Sequence, residues 1–90
     1  MRVRVLFFGM VKELAGKSED ELNLQNGASV RDVLQHYEAQ FPQLKKLHSS
    51  LALAVNQQYA SPGTVLNPDD EIAILPPVSG GVPDLEERIR

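Results

Sequence analysis

Cysteine is absent from the ninety residues, which excludes a disulfide framework, a thiolate metal site and a cysteine nucleophile. Basic residues are few. Nine lysines and arginines against twelve acids leave a net charge of −3, with no basic stripe, so no nucleic-acid partner is expected. Long apolar runs are missing as well. No segment approaches the ~20 consecutive apolar residues of a membrane-spanning helix, so no membrane partner is expected either. The apolar start breaks at Lys12-Glu13 with no small-residue cleavage site after it. It reads as a strand and not a signal peptide, and the expected location is cytoplasmic. Metal-ligand spacing is lacking too. His36 falls off the apolar stripe of its helix, His48 sits in a polar connection, and Lys45-Lys46 is a lone basic pair. Glu19-Asp20-Glu21 and Asp69-Asp70-Glu71 lack the spacing of a calcium loop and read as solvated turns.

What is present is a small globular domain. The hydrophobic fraction is 42%, and a chain this short buries a modest core with little room for a separate catalytic pocket. Val3, Val5 and Phe7 alternate with Arg2 and Arg4, a strand pattern with one buried side. Leu6 and Phe8 fall on the arginine side, so that side is either partly covered or meets a partner. Met10, Val11 and Leu14 mark a short helix that Gly16 stops. Residues 21–24 alternate again as a second strand. The clearest helix runs over 30–41, with Ser29 as N-cap, Asp32 completing a capping-box pattern, and a stripe of Val30, Val33, Leu34, Tyr37 and Phe41 that Pro42 ends. Residues 51–55 read as a buried central strand, Asn56-Gln57-Gln58 as a tight turn, and Tyr59-Ala60 as a short return strand. Turns at 61–63 and 67–70 precede a last strand over 71–75, with Ile72 and Ile74 on one side and Leu75 opposite. Strand, short helix, strand, long helix and then two or three strands is the order of an α+β, ubiquitin-like β-grasp: a mixed sheet of four or five strands over one main helix.

The chain divides into a domain over 1–75, an extended tail over 76–81 and an extension over 82–90. Pro76 and Pro77 favour an extended path, and six such residues reach on the order of 20 Å. Gly80 and Gly81 carry no side chain and fit a narrow channel. Such a tail suits insertion into another protein's active site; Ser-Gly-Gly by itself also fits a flexible linker after the last strand. A glycine carboxylate there becomes reactive once adenylated, and attack by a sulfur donor then gives a thiocarboxylate. Phe7, Phe8 and Leu75 are the candidate docking face, with one of the two phenylalanines expected in the core.

Ile-Leu-Pro-Pro-Val-Ser-Gly-Gly at 74–81 resembles the end of the MoaD family, the small sulfur-carrier subunit of molybdopterin synthase. Phe8-Gly9, Lys12 to Gly16, Gly27 to Leu34, Ala54-Val55-Asn56 and Leu66 to Ile72 are similar to that family in the same order. The resemblance implies that Gly81 is adenylated by an E1-like enzyme, which uses ATP, and becomes a C-terminal thiocarboxylate. It implies that Pro76, Pro77, Val78, Ser79, Gly80 and Gly81 enter the large synthase subunit in a heterotetramer. The sulfur then goes to cyclic pyranopterin monophosphate. On this expectation the chain binds no permanent cofactor and no metal, and is a carrier subunit without catalysis of its own. The thiamine-pathway type of sulfur carrier and a plain ubiquitin-like binding module are the alternatives. One departure stands out: the chain continues past Gly81 from Val82 to Arg90. An amide bond to Val82 leaves Gly81 no carboxylate, so a processing protease is expected to cut there. A fusion remnant or an appended tail would also account for the extension.

Overall fold

The computed structural model describes residues 1–76; Pro77 to Arg90, and with them the expected sites Pro77, Val78, Ser79, Gly80 and Gly81, lie outside the described residues. The elements are β1 (Arg2–Phe7), α1 (Gly9–Ala15), β2 (Glu19–Asn23), α2 (Val30–Gln40), α3 (Pro42–Lys46), a 3-10 turn (His48–Ser50), β3 (Ala52–Val55), β4 (Gln58–Tyr59) and β5 (Glu71–Leu75). The sheet runs β2-β1-β5-β3-β4. β1 and β5 are parallel; the other neighbours are antiparallel. First and last strands thus lie side by side at the centre, with α2 packed on one face. This is the ubiquitin-like β-grasp, in its five-stranded form.

Alternation decides which side of each strand is buried. Val3, Val5 and Phe7 of β1, Leu53 of β3 and Ile72 and Ile74 of β5 point to one face. There they meet Val30, Val33, Leu34 and Tyr37, the inward stripe of α2. Phe7 meets the Tyr37 ring edge-on at 5.0 Å between centroids. The start of α2 is fixed by Asp32, whose carboxylate accepts from the Ser29 amide at 2.8 Å and the Ser29 hydroxyl at 3.3 Å. An acid in the first helical turn also complements the positive end of the helix dipole.

Two features differ from the sequence reading. Pro42 ends α2 and also opens α3, where it takes the first helical position and Leu44 inserts into the core. Proline lacks only an N–H that the first turn would leave unpaired anyway, so the residue that stops one helix starts the next. Glu19, Asp20 and Glu21, expected as a solvated turn, belong to β2, whereas the segment over 51–55 does give a buried interior strand, β3, between β5 and β4.

Candidate functional site at the end of the central strand

The tail follows β5, the middle strand of the sheet. Leu6 pairs with Ala73 and Phe7 with Ile74 on one flank; Ala52 pairs with Leu75 on the other. Pro76 follows directly and rests on Gly9, the first residue of α1. A Cβ at Gly9 would lie 2.8 Å from the Pro76 ring, and Gly9 has φ +56°, so glycine is suited to this position on two counts.

The opposite end of β5 is held by polar groups. Asp70 is 8% exposed. Its carboxylate accepts from the Asn56 side-chain amide at 2.9 Å and the Asn67 backbone N–H at 2.8 Å. The Asn56 side-chain oxygen accepts from the Glu71 N–H at 3.0 Å, and the Asn56 N–H donates to the Glu71 carbonyl at 2.8 Å. Asn56 and Gln57 form the β3–β4 hairpin turn with positive φ at both positions, a conformation that asparagine tolerates well. The Asp69-Asp70-Glu71 cluster is therefore not simply a solvated turn: its middle member ties the β3–β4 turn to the start of β5.

The outer face of the sheet has two halves. Over β2 and the start of β1 it is charged: Arg2 pairs with Glu21 at 3.4 Å, and Arg4 lies 3.9 Å from Glu19 and 3.5 Å from Glu71. A shallow hollow of about 510 Å³ lies here, lined in part by Arg2, Arg4, Glu21, Gln57 and Glu71. Toward the end of β5 the face turns apolar. Ala54, Ala73 and Leu75 cluster there, with Leu6, Phe8 and Ala52 packed against them. This corrects the candidate docking face at one residue. Phe7 is 2% exposed inside the main core, because period-two alternation puts it with Val3 and Val5. Phe8 and Leu75 do stand on the outer side, Phe8 half-buried and Leu75 fully buried.

Among the described residues no group of three or more potential ligands could hold a metal ion, and no helix is long and apolar enough to cross a membrane. His36 is exposed against the edge of Tyr37, and His48 faces Glu38 at 2.6 Å. The perturbed titrating groups are structural. Burial would raise the Asp20 carboxyl, but hydrogen bonds from the Tyr37 hydroxyl at 2.9 Å and Lys17 at 3.1 Å outweigh it and hold Asp20 below the usual carboxylate range. Tyr37 is pushed above the ordinary phenol range by burial and by that same carboxylate. Sequence reasoning missed Asp20, Asp70 and Gly9 as positioning residues. Asn56 and Asp70 were legible only as parts of two separate motifs.

The ThiS family model matches residues 5–81, the last of which is the second glycine of the tail. The molybdopterin synthase sulfur carrier subunit of Chlamydomonas reinhardtii is 37% identical over 83 residues, 90% of this chain and 100% of that protein. A structure from Helicobacter pylori, a complex of subunits 1 and 2 of molybdopterin-converting factor, contains a chain 32% identical with a TM-score of 0.61, covering 90% of this chain and 100% of that one. Small archaeal modifier protein 1 of Methanosarcina acetivorans is 32% identical with a TM-score of 0.76, covering 89% and 96%. With the β-grasp around a parallel β1–β5 pair and a match that runs to Gly81, this chain belongs to the ThiS/MoaD family.

Proposed function

We propose that this chain is the sulfur carrier of molybdenum-cofactor biosynthesis, working through Gly81 once Val82–Arg90 have been removed. The observation that carries the reading is the likeness to molybdopterin synthase sulfur carrier subunits over nine-tenths of the chain, with the Pro-Pro-Val-Ser-Gly-Gly tail continuing directly from the central strand. In the proposed cycle a processing protease hydrolyses the Gly81–Val82 bond. An E1-like enzyme then lets the new carboxylate attack the α-phosphate of ATP, and pyrophosphate leaves. Hydrosulfide, or a donor equivalent to it, attacks the acyl carbon; AMP leaves and a thiocarboxylate remains. Residues 76–81 deliver it into the large synthase subunit. There the sulfur bonds to a side-chain carbon of the pterin precursor, cyclic pyranopterin monophosphate, as that carbon loses an oxygen substituent, and water cleaves the carbonyl–sulfur bond to restore the carboxylate and leave the sulfur on the pterin. ATP belongs to the activating enzyme, and the chain itself holds no cofactor. Phe8 and the apolar half of the outer face would meet the large subunit, and the setting is the cytoplasm.

The test is reconstitution with purified activating enzyme, ATP and a sulfide source, run on the full chain and on the chain cut after Gly81. The cut chain gains the mass of one sulfur-for-oxygen exchange and supports molybdopterin formation with the large subunit; the full chain does neither. A cut chain that stays unmodified sinks the reading. A second reading draws on the likeness to a small archaeal modifier protein. The same activated acyl group would then be joined to an amine of another protein, and the product would be a covalent conjugate.

A further inference from the structure

An open sheet has two edges, and each presents unpaired backbone donors and acceptors that can template another strand. Among the described residues the edges of this sheet are β4 and β2. β4 spans two residues, Gln58–Tyr59, too short to template a partner. β2 spans five, Glu19–Asn23, long enough to pair with a second copy of this chain. Its outward row follows from its ladder to β1. The Met1 amino group donates to the Leu24 carbonyl at 2.7 Å, and the Leu24 N–H donates to the Met1 carbonyl at 2.8 Å. Farther along, the Phe7 N–H donates to the Ser18 carbonyl at 2.9 Å. Antiparallel pairs alternate between bonded and non-bonded, so Val3–Leu22 and Val5–Asp20 are the bonded pairs in between. Glu19, Glu21 and Asn23 therefore direct their N–H and C=O groups away from β1, with Glu21 at the centre of the row.

That central donor is taken. The Glu21 N–H donates to Oδ1 of Asp20 at 3.0 Å. Oδ2 of the same carboxylate accepts from the Tyr37 hydroxyl at 2.9 Å and from Lys17 Nζ at 3.1 Å, so it is fastened from α2 and from the turn before β2. Charge alone would guard the edge less well. Two copies paired antiparallel about Glu21 would set their Glu21 side chains opposite each other, which is unfavourable. Arg2 stands 3.4 Å from Glu21, however, and Arg4 stands 3.9 Å from Glu19, and both offset that repulsion. We propose that Asp20 closes the β2 edge against a second copy of this chain by occupying the Glu21 N–H. Aspartate is disfavoured in strands, and Leu22 shows the apolar residue that suits this side of β2. The capped donor and the bond to Tyr37 together account for the exception. The closure holds whether or not the chain carries sulfur.

Amide hydrogen exchange on the full parent chain tests the cap without any substitution. Corrected for the intrinsic rate at each position, the Glu21 amide should exchange about tenfold more slowly than those of Glu19 and Asn23. Equal rates at the three positions overturn the proposal. Sedimentation velocity over a series of rising concentrations tests the closure. The parent chain should stay monomeric, while D20V, which removes the acceptor, should form a concentration-dependent dimer. E21P removes the same outward N–H and leaves the ladder to β1 untouched, so D20V/E21P should return to the monomer. V33A, which loosens the core with the cap intact, should remain monomeric. A monomeric D20V overturns the proposal. So does a dimeric D20V/E21P, which would place the association elsewhere, and so does a V33A that associates as readily as D20V, which would assign the effect to lost stability.

Discussion

Phe7 and Phe8 are consecutive and chemically identical, yet they belong to different surfaces. Phe7 lies on the inner face of the sheet, closed by the helices of the chain itself; Phe8 lies on the outer face, half-buried beside the root of the tail. The inner face is apolar over β1, β3 and β5, with Asp20 of β2 at its rim bonded to Tyr37, and α2 packs on it. The outer face divides into a charged half over β1 and β2 and an apolar half around β3 and β5. The period of two along a strand is what lets one short sheet build two surfaces: a single strand gives alternate residues to the main core and to the outer face. The comparison is sharp enough to break by substitution.

The largest effect should come from Phe7→Ala. Truncating a buried phenylalanine typically costs roughly 3–5 kcal/mol, a large share of the roughly 5–15 kcal/mol that holds a domain together. Urea denaturation reads it directly. Phe8→Ala should cost about 1 kcal/mol, since a half-buried ring loses only part of its transfer energy, while binding to the large synthase subunit weakens. Equal destabilisation by the two substitutions would mean that the outer face is core too, and the distinction between the faces would fall.

Second in size is Asp70→Ala. The substitution leaves the Asn56 side-chain amide and the Asn67 N–H without their acceptor at a buried site, a loss of roughly 1–3 kcal/mol. In a double-mutant cycle with Asn56→Ala the two losses should overlap, because both remove the same latch. Fully additive losses would show that Asp70 acts through something other than Asn56.

This latch marks where the sequence stopped being legible. Val3, Val5 and Phe7, the stripe of α2 and the Ser29–Asp32 start could be read locally, because each signal repeats within one element. The partners of Asp70 and Asp20 could not. Asn56 lies 14 positions from Asp70, and Tyr37 lies 17 from Asp20, so both acids looked like solvated turn residues until the chain was folded. α3 was hidden for another reason: proline serves equally at a helix end and at a helix start, and local pattern does not separate the two. Leu75 falls on the expected side of β5, but alternation alone does not show how fully it is buried. The glycine tail stands out only in company with the strand order and the Pro-Pro-Val-Ser approach, because Gly-Gly alone fits a plain linker as well.

Smaller again is the effect of Tyr37→Phe, which keeps the ring in the core and removes the hydroxyl that donates to Asp20. About 1 kcal/mol is expected at neutral pH, discounted because Asp20 is only partly buried. The pH dependence gives the sharper test. A carboxyl whose folded pKa lies below its unfolded value contributes stability that is present above about pH 4 and is lost as pH falls through the folded pKa. The parent chain should therefore lose more stability below pH 4 than Tyr37→Phe, and the two curves should converge in acid. Parallel curves would show that the hydroxyl does not hold Asp20 down.

The smallest effect belongs to the charged half of the outer face. Arg2 and Glu21 pair at 3.4 Å, but both side chains are about two-thirds exposed, at 64% and 67%. Water screens such a pair, and holding two long side chains in one geometry costs entropy, so exposed pairs couple by roughly 0.2–1 kcal/mol. The Arg2→Gln/Glu21→Gln cycle should fall at the low end of that range and fade as salt shortens the screening length. Coupling well above 1 kcal/mol, or coupling that survives high salt, would mean that this half is shielded from water as the inner face is. If the coupling is small and salt-sensitive, the charged half adds little to the fold. The outer face would then bear on stability mainly at its apolar end, where Leu75 lies and where the tail begins.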